Sequence, residues 1–326
     1  MNTIIILFWV SIVLLILVIW KCYWRTQLFF NSRALSVYTP PSLQNESPSE
    51  VTSFGFERMK TSKVVICSLL RDVEPKMDLI QKRCERVGSM FKDYRIVIVE
   101  NDSSDNTRQK LFEWRNKNPR VNILGCGENN NVGRCTLPHA KTKTESHLVT
   151  KKRIEKMSYL RNLYLDYIRE NFGDFDFTII WDMDVIGTIY LDGIADSVGQ
   201  MTFPQSEYLH ANAMCAYGIY KWGLLKLYYD TYAHQDFGDN FHINLKTVHD
   251  VKKGLGIPFR DLGSPQPVKS CFGGFTLYRT KVLINQETNY DPPSEENIDC
   301  EHVTLHRKIP FVYMNPRMTH FILLNN

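Results

Sequence analysis

The chain has 326 residues, 44% of them hydrophobic and 12% aromatic, enough to build the core of one large or two small globular domains. Its 39 basic and 35 acidic residues leave a formal net charge of +4, and the basic residues are scattered. That pattern excludes the concentrated basic face of a nucleic-acid-binding protein and leaves small anionic substrates open.

The chain begins with an apolar run, Ile4 to Trp20, that carries no charge. Its length lies at the short end of the about 17–25 residues a membrane helix needs, and Tyr23 and Trp24 are placed to sit at the interface. No basic segment precedes the run and no small-residue cleavage site follows it, so residues 1–24 read as an uncleaved anchor rather than a signal peptide. Residues 25–60 read as a stem or linker, with Pro40, Pro41, Pro48 and several serines between 38 and 60. The folded domain is expected over 61–326. Lys21, Arg25 and Arg33 follow the span, and the positive-inside rule would hold that domain in the cytosol. Asn45-Glu46-Ser47, in contrast, is a glycosylation sequon usable only in a lumen. The eight cysteines do not decide between the two compartments: Cys22 flanks the span, and the other seven lack paired metal-type spacing. Cys126 and Cys135 read equally as a bridge or as free buried thiols.

Lys63 to Leu70 reads as a buried strand, Met77 to Met90 as a helix, and Arg95 to Val99 as a second strand, which together make a parallel βαβ unit. The second strand runs out into Glu100-Asn101-Asp102-Ser103-Ser104-Asp105-Asn106-Thr107. Acids at that position can accept hydrogen bonds from a ribose or a base edge, whereas a turn with Ser104 or Asp105 as helix cap is the better reading of any single residue. A helix is expected from about Lys152 to Glu170, with Ile154, Met157, Leu160, Tyr164, Tyr167 and Ile168 on one apolar stripe. Arg153 and Arg161 fall inside that stripe. A guanidinium directed inward needs an anion, either a sugar-nucleotide pyrophosphate or an internal Asp or Glu.

Phe175 to Asp184 (FDFTIIWDMD) carries the strongest signal: a buried strand that ends in two carboxylates one residue apart. Ligands bind beyond the carboxyl ends of strands in open α/β sheets, so Asp182 and Asp184 offer hard oxygens to a divalent cation and its phosphate ligand. The bland alternative is a turn or a cap. Asp174 and Asp176 repeat the pattern at the start of the same strand, away from that edge, and are discounted.

Further on, Tyr228 to His234 clusters aromatics that suit a sugar ring or, more commonly, a core. Gly273 and Gly274 interrupt an apolar strand, where a bulge or close ligand approach is expected. Asp299-Cys300-Glu301-His302 opens a helix, and His320 lies in an apolar setting. His302 and His306 share a helix face but lack the companions of a zinc site.

Taken in order, ENDSSDNT, RIEKMSYLRN, WDMD, YYDTYAH, CFGGF, the Asp299/Glu301 helix and the late histidine resemble the GT-A glycosyltransferases. The similarity is nearest to fungal Golgi α-mannosyltransferases of the mannan-polymerase and capsule-associated types, and it spans about Lys63 to His320. The resemblance implies a three-layer αβα sandwich with a mostly parallel central sheet, here preceded by one transmembrane helix, and a retaining transferase in the Golgi or ER lumen. It implies a nucleotide-sugar donor, GDP-mannose ahead of a UDP-sugar, a Mn²⁺ or Mg²⁺ ion, and a glycan or glycoconjugate acceptor. Asp184 would bind the metal, Asp182 the metal, a water or the ribose, and His320 would be a further ligand. Glu100 and Asp102 would face the nucleoside, Arg153 and Arg161 the diphosphate, and Gly273 and Gly274 a sugar. Asp299 or Glu301 would lie near the reacting carbons. Two alternatives are an inactive scaffold or lectin-like subunit, and a nucleotidyltransferase, whose Gly-rich phosphate loop is missing from CSLLRDVEP.

Overall fold

The computed structural model describes residues 2–29, 49–101, 103–126, 150–185, 187, 189–222, 225–237, 264–294 and 298–322. The apolar N-terminal run lies within α1 (Asn2–Phe29), on which Phe8, Trp9 and Trp20 are exposed. Counted over the described residues, no helix is long and apolar enough to cross a membrane.

The expected βαβ unit is present as β1 (Lys63–Leu70), α3 (Met77–Gly88) and β2 (Asp93–Asn101), followed by α4 (Thr107–Lys117) and β3 (Val121–Cys126). The central helix α5 runs Lys151–Asn171 and leads into β4 (Phe177–Trp181). Then come α6 (Leu191–Thr202), the hairpin β5 (Ala213–Trp222) and β6 (Leu225–Tyr228), and the short β7 (Gln266–Pro267). The chain closes with β8 (Phe275–Arg279), α7 (Thr280–Leu283), α8 (Glu301–His306) and β9 (Val312–Ile322). The described strands form one sheet in the order β3-β2-β1-β4-β8-β5-β9-β7, with β6 hydrogen-bonded to β5. β1 to β4 pair in parallel and β5 pairs in parallel with β9, whereas β8 runs antiparallel between β4 and β5. Because both faces of β1, β2 and β4 are covered, their sequences read as continuous apolar runs rather than alternating ones.

One core layer gathers Ile154, Leu160, Tyr164 and Ile168 of α5 against the sheet, and the other gathers Met59, Ile80, Cys84, Ile194 and Val198 from helices on the opposite face. The result is the expected αβα layering. Residues 50–60, expected in the linker, lie instead in α2 (Glu50–Thr61), capped by Ser49, whose side chain accepts from the Thr52 amide. α2 packs backbone-to-backbone on α6: a Cβ added at Gly55 would stand 1.8 Å from the Ala195 carbonyl oxygen. The serines and prolines that suggest a stem end where this glycine-mediated contact begins.

Candidate active site

The carboxyl edge of the sheet is formed by the ends of β1, β2 and β4, and the turn after β4 is held from three sides. Trp181, fully buried, packs edge-on against Phe275 at 5.5 Å. The next amide, that of Asp182, donates to the Gly274 carbonyl at 3.0 Å, and the Val185 amide donates back to the Asp182 carbonyl at 3.2 Å, closing the turn. Lys76 donates from Nζ to the Asp184 carbonyl at 2.8 Å. Asp182 is half-buried and the Asp184 side chain is exposed, so both carboxylates stand at the edge, as the sequence pattern predicts. Asp174 and Asp176, at the other end of β4, bind Lys63, through its Nζ at 2.5 Å and its amide at 2.8 Å respectively.

Gly273 and Gly274 sit beneath the turn with φ of 61° and 78°, in the left-handed region that favours glycine. A Cβ at Gly273 would meet the Ala216 carbonyl at 2.2 Å, and one at Gly274 would meet His320 Nδ1 at 2.8 Å. These glycines let the β5 backbone and a histidine approach the turn closely, where the sequence suggested a bulge or a ligand. His320 is buried, and its Nδ1 lies 3.1 Å from the Gly273 carbonyl oxygen. A carbonyl only accepts, so Nδ1 carries the proton and Nε2 is left with a bare lone pair. Among the described residues no group meets that Nε2. Burial pushes the imidazole down to about 3, which keeps it neutral at physiological pH.

Arg161 resolves the choice left open by the sequence. Its Nε donates to Glu301 Oε1 at 3.0 Å, its Nη2 to Asp182 Oδ1 at 3.2 Å, and its Nη1 to the Tyr164 hydroxyl at 3.3 Å. The guanidinium also lies over the Phe272 ring at 5.4 Å. Each of its three nitrogens thus has an internal partner, and Glu301 and Asp182 are its counter-ions in this arrangement. Asp299 is likewise engaged, accepting from Arg307 Nη2 at 2.7 Å beside a cavity of about 390 Å³ lined also by Asp291, Pro292 and Thr304. Glu100 is fully buried, accepting from the Ser103 amide at 2.6 Å and Arg108 Nε at 2.7 Å, and so anchors the loop after β2. Asp105 accepts from the Thr107 and Glu74 amides, whereas the N-cap of α4 is the next residue, Asn106. Asp102 lies outside the described residues. Arg153 is half-buried on α5 and has no ion-pair partner among the described residues, which leaves it free for an anionic ligand.

Asp230 lies within the Tyr228–His234 cluster, where the aromatics rather than this acid drew attention. It follows the β5–β6 hairpin with φ of +70°, a conformation costly for a residue with a Cβ. The preceding Tyr229 bonds through its amide to the Gly218 carbonyl at 2.9 Å and reaches within 3.5 Å of the Cβ position of Gly274. Burial, then the nearby Asp182 and Glu301, push the Asp230 carboxyl up to about 7. Burial also raises Asp182 above the usual carboxylate range; Arg161 offsets this in part, while Asp184 and Glu301 add to it. The site thus gathers more carboxylates than Arg161 alone can balance.

Two carboxylates at a sheet edge suit a divalent cation that arrives with phosphate ligands, because Mg²⁺-like ions are commonly held by one or two carboxylates plus substrate oxygens. Among the described residues no three His, Cys, Asp or Glu side chains converge on a metal position, so Asp182, Asp184 and His320 do not form a complete protein cage in this arrangement. Beside the site, Cys215 of β5 and Cys271 are joined by a disulfide with Cα atoms 5.9 Å apart. Sequence spacing did not single out this pair, 56 residues apart. Cys67, Cys84 and Cys300 are free and buried, and Cys135 lies outside the described residues.

The chain, with paired aspartates at the carboxyl edge of an αβα sheet, matches a glycosyltransferase family over residues 63–307. It belongs to the family described as Cryptococcal mannosyltransferase 1. No curated protein matches the sequence. Among solved structures it is similar to residues 1–349 of S. aureus TarS, at 13% identity and a TM-score of 0.43 over 80% of this chain and 60% of that one. It is also similar to the mannosyltransferase PcManGT from Pyrobaculum calidifontis, solved with GDP-Man and Mn2+, at 10% identity and a TM-score of 0.45 over 85% of this chain and 65% of that one. The chain thus spans 60% and 65% of the lengths of these two.

Proposed function

We propose that this glycosyltransferase moves mannose from GDP-mannose to a glycan or glycoconjugate, with a divalent cation, Mn²⁺ or Mg²⁺, at the turn after β4. The observation that carries the reading is Asp182 and Asp184 at the carboxyl edge of β4, on a turn fixed by the Gly274 carbonyl and Lys76. The family description favours mannose. When bound, the cation would neutralise charge developing on the departing nucleoside diphosphate. Asp184 would hold it, with Asp182 oriented by Arg161 toward the same ligand shell. Arg153 is free to meet a phosphate, and the neutral His320 presents Nε2 as a further ligand or hydrogen-bond acceptor once donor and metal are in place.

The full chain is read as a single-pass membrane protein with a lumenal domain. The exposed aromatic and aliphatic side chains of α1 support an anchor, and a disulfide supports an oxidising compartment. A mass shift in a glycosylating host that is lost on Asn45→Gln would agree with the lumen; digestion of the domain by protease outside sealed microsomes would refute it. The test of function is to incubate the purified protein with Mn²⁺ and GDP-mannose, UDP-glucose or UDP-N-acetylglucosamine, measuring transfer and donor hydrolysis. Turnover is expected with GDP-mannose and is lost with EDTA; equal turnover in EDTA would remove the metal from the reading, and preference for a UDP-sugar would remove mannose.

A further inference from the structure

Arg83, on α3, is buried to 2% exposure, and among the described residues only its Nη1 has a partner, the Val185 carbonyl at a long 3.4 Å. Among the described residues its Nε and Nη2 meet no hydrogen-bond partner and it forms no ion pair. The other fully buried guanidinium, that of Arg161, meets two carboxylates; among the described residues this one meets none. A buried cation without a counter-charge is costly, and a fold keeps one where something else supplies the negative charge. Its surroundings indicate where that charge would arrive. Val185 belongs to the turn that carries Asp182 and Asp184, and the adjacent Cys84 thiol touches the Met183 sulfur at 3.2 Å, fixing α3 beneath that turn. One helical stretch earlier, Lys76 grips the same turn at the Asp184 carbonyl. Arg83 also stands close enough to His320 to help hold its imidazole neutral, after the larger effect of burial.

We propose that Arg83 is the built-in counter-charge of the donor site: a positioning residue whose fixed positive charge, under the turn after β4, favours a nucleoside diphosphate there and opposes a divalent cation arriving alone. This rests on the donor site proposed above. The two charges act with opposite sign on the two ligands. A diphosphate is attracted to the guanidinium; a bare cation at Asp182 and Asp184 is repelled by it, and that repulsion is relieved once the diphosphate has brought its own negative charge. Metal and donor therefore bind as a pair, which keeps the metal from occupying the turn without a substrate. Preorganised charge of this kind works most strongly where water is excluded.

The test uses the full-length protein in detergent, with GDP and Mn²⁺ as probes, titrated separately and together by calorimetry. Arg83→Met, which keeps the length and apolar stem of the side chain, is expected to weaken GDP binding in the absence of metal about tenfold or more, the scale of a charge-assisted contact. The same variant should bind Mn²⁺ alone more tightly than the wild type, and the cooperativity between the two probes should shrink. Arg83→Lys, which keeps the charge, should restore much of the GDP affinity. A residue that merely braces the fold would lower the melting temperature and weaken both probes together, and that outcome would overturn the proposal, as would unchanged GDP affinity in Arg83→Met. If the wild type binds Mn²⁺ and GDP but not as a cooperative pair, the counter-charge idea fails while the donor site stands; if it binds neither, both fail.

Discussion

Strand β4 carries the same two-aspartate pattern at both ends, and the two ends have different fates. At its start, Asp174 and Asp176 are exposed and bonded to Lys63, with Arg58 3.8 Å from Asp176, and water screens those charges. At its exit, the half-buried Asp182 sits among Arg161, Glu301 and Asp230, with Asp184 beside it and Arg83 beneath the turn, so that screening around Asp182 is weaker and each charge alters its neighbours. The same Asp-x-Asp pattern makes exposed ion pairs at one end of β4 and stands at the proposed metal site at the other, because strand direction decides which end opens onto the ligand crevice.

The largest expected difference between the two ends is in turnover. Asp184→Asn keeps the side-chain shape but removes a metal-binding charge, and it should cost about 10²–10³ in kcat, on the scale of losing one preorganised charge-stabilising group. A steady-state assay of sugar transfer checks it, and a variant that retains most of its activity would place the reaction elsewhere.

Next in size is Arg161→Met. It leaves Asp182 and Glu301 without their shared cation, so about 3–5 kcal/mol of stability should be lost, read from denaturant unfolding. Had Arg161 served a diphosphate, the variant would instead keep its stability and lose donor affinity. The contrast with Arg83→Met, where removing an unpaired charge should not lower the melting temperature, separates an internal arginine from one that waits for a ligand.

A smaller effect concerns pH. Asp230 titrates near 3.8 when unfolded and at about 7 when folded. Between those values the native state holds more protons than the unfolded one, so its contribution destabilises the fold increasingly as pH rises through that window. Relative to wild type, Asp230→Asn should therefore gain stability at pH 8 and show no gain at pH 4. Melting temperatures across that range test the sign, and a gain confined to low pH would contradict the assignment.

The smallest effect belongs to the other end of the strand. Asp174→Asn should change turnover less than twofold and stability by no more than about 0.5 kcal/mol, as for an exposed ion pair.

What was legible in the sequence follows from how local each signal is. The apolar runs of β1, β2 and β4 and the helix over residues 151–171 declare themselves within a window of a few residues, and so does the carboxylate pair at Asp182 and Asp184. The partner of Arg161 did not, because Glu301 lies 140 residues away and an inward guanidinium looks the same whether its anion is internal or bound. The docking of α2 was hidden for a related reason: Gly55 lowers helix propensity locally, and its value appears only against the Ala195 backbone. Arg83 gave no signal at all, since on a helical wheel it is one basic residue among several, and only its burial without a counter-ion distinguishes it. The Cys215–Cys271 bridge required the β5 and β8 segments to be adjacent, which no spacing rule supplies.

The most direct test of the donor site is binding of Mn²⁺ in the presence of GDP, followed by electron paramagnetic resonance of the free ion, in wild type, Asp184→Asn and Asp174→Asn. The wild type and Asp174→Asn should deplete free Mn²⁺ to the same extent in a GDP-dependent manner, while Asp184→Asn should leave it free. Equal depletion by all three proteins would contradict a metal-bound diphosphate at the exit of β4.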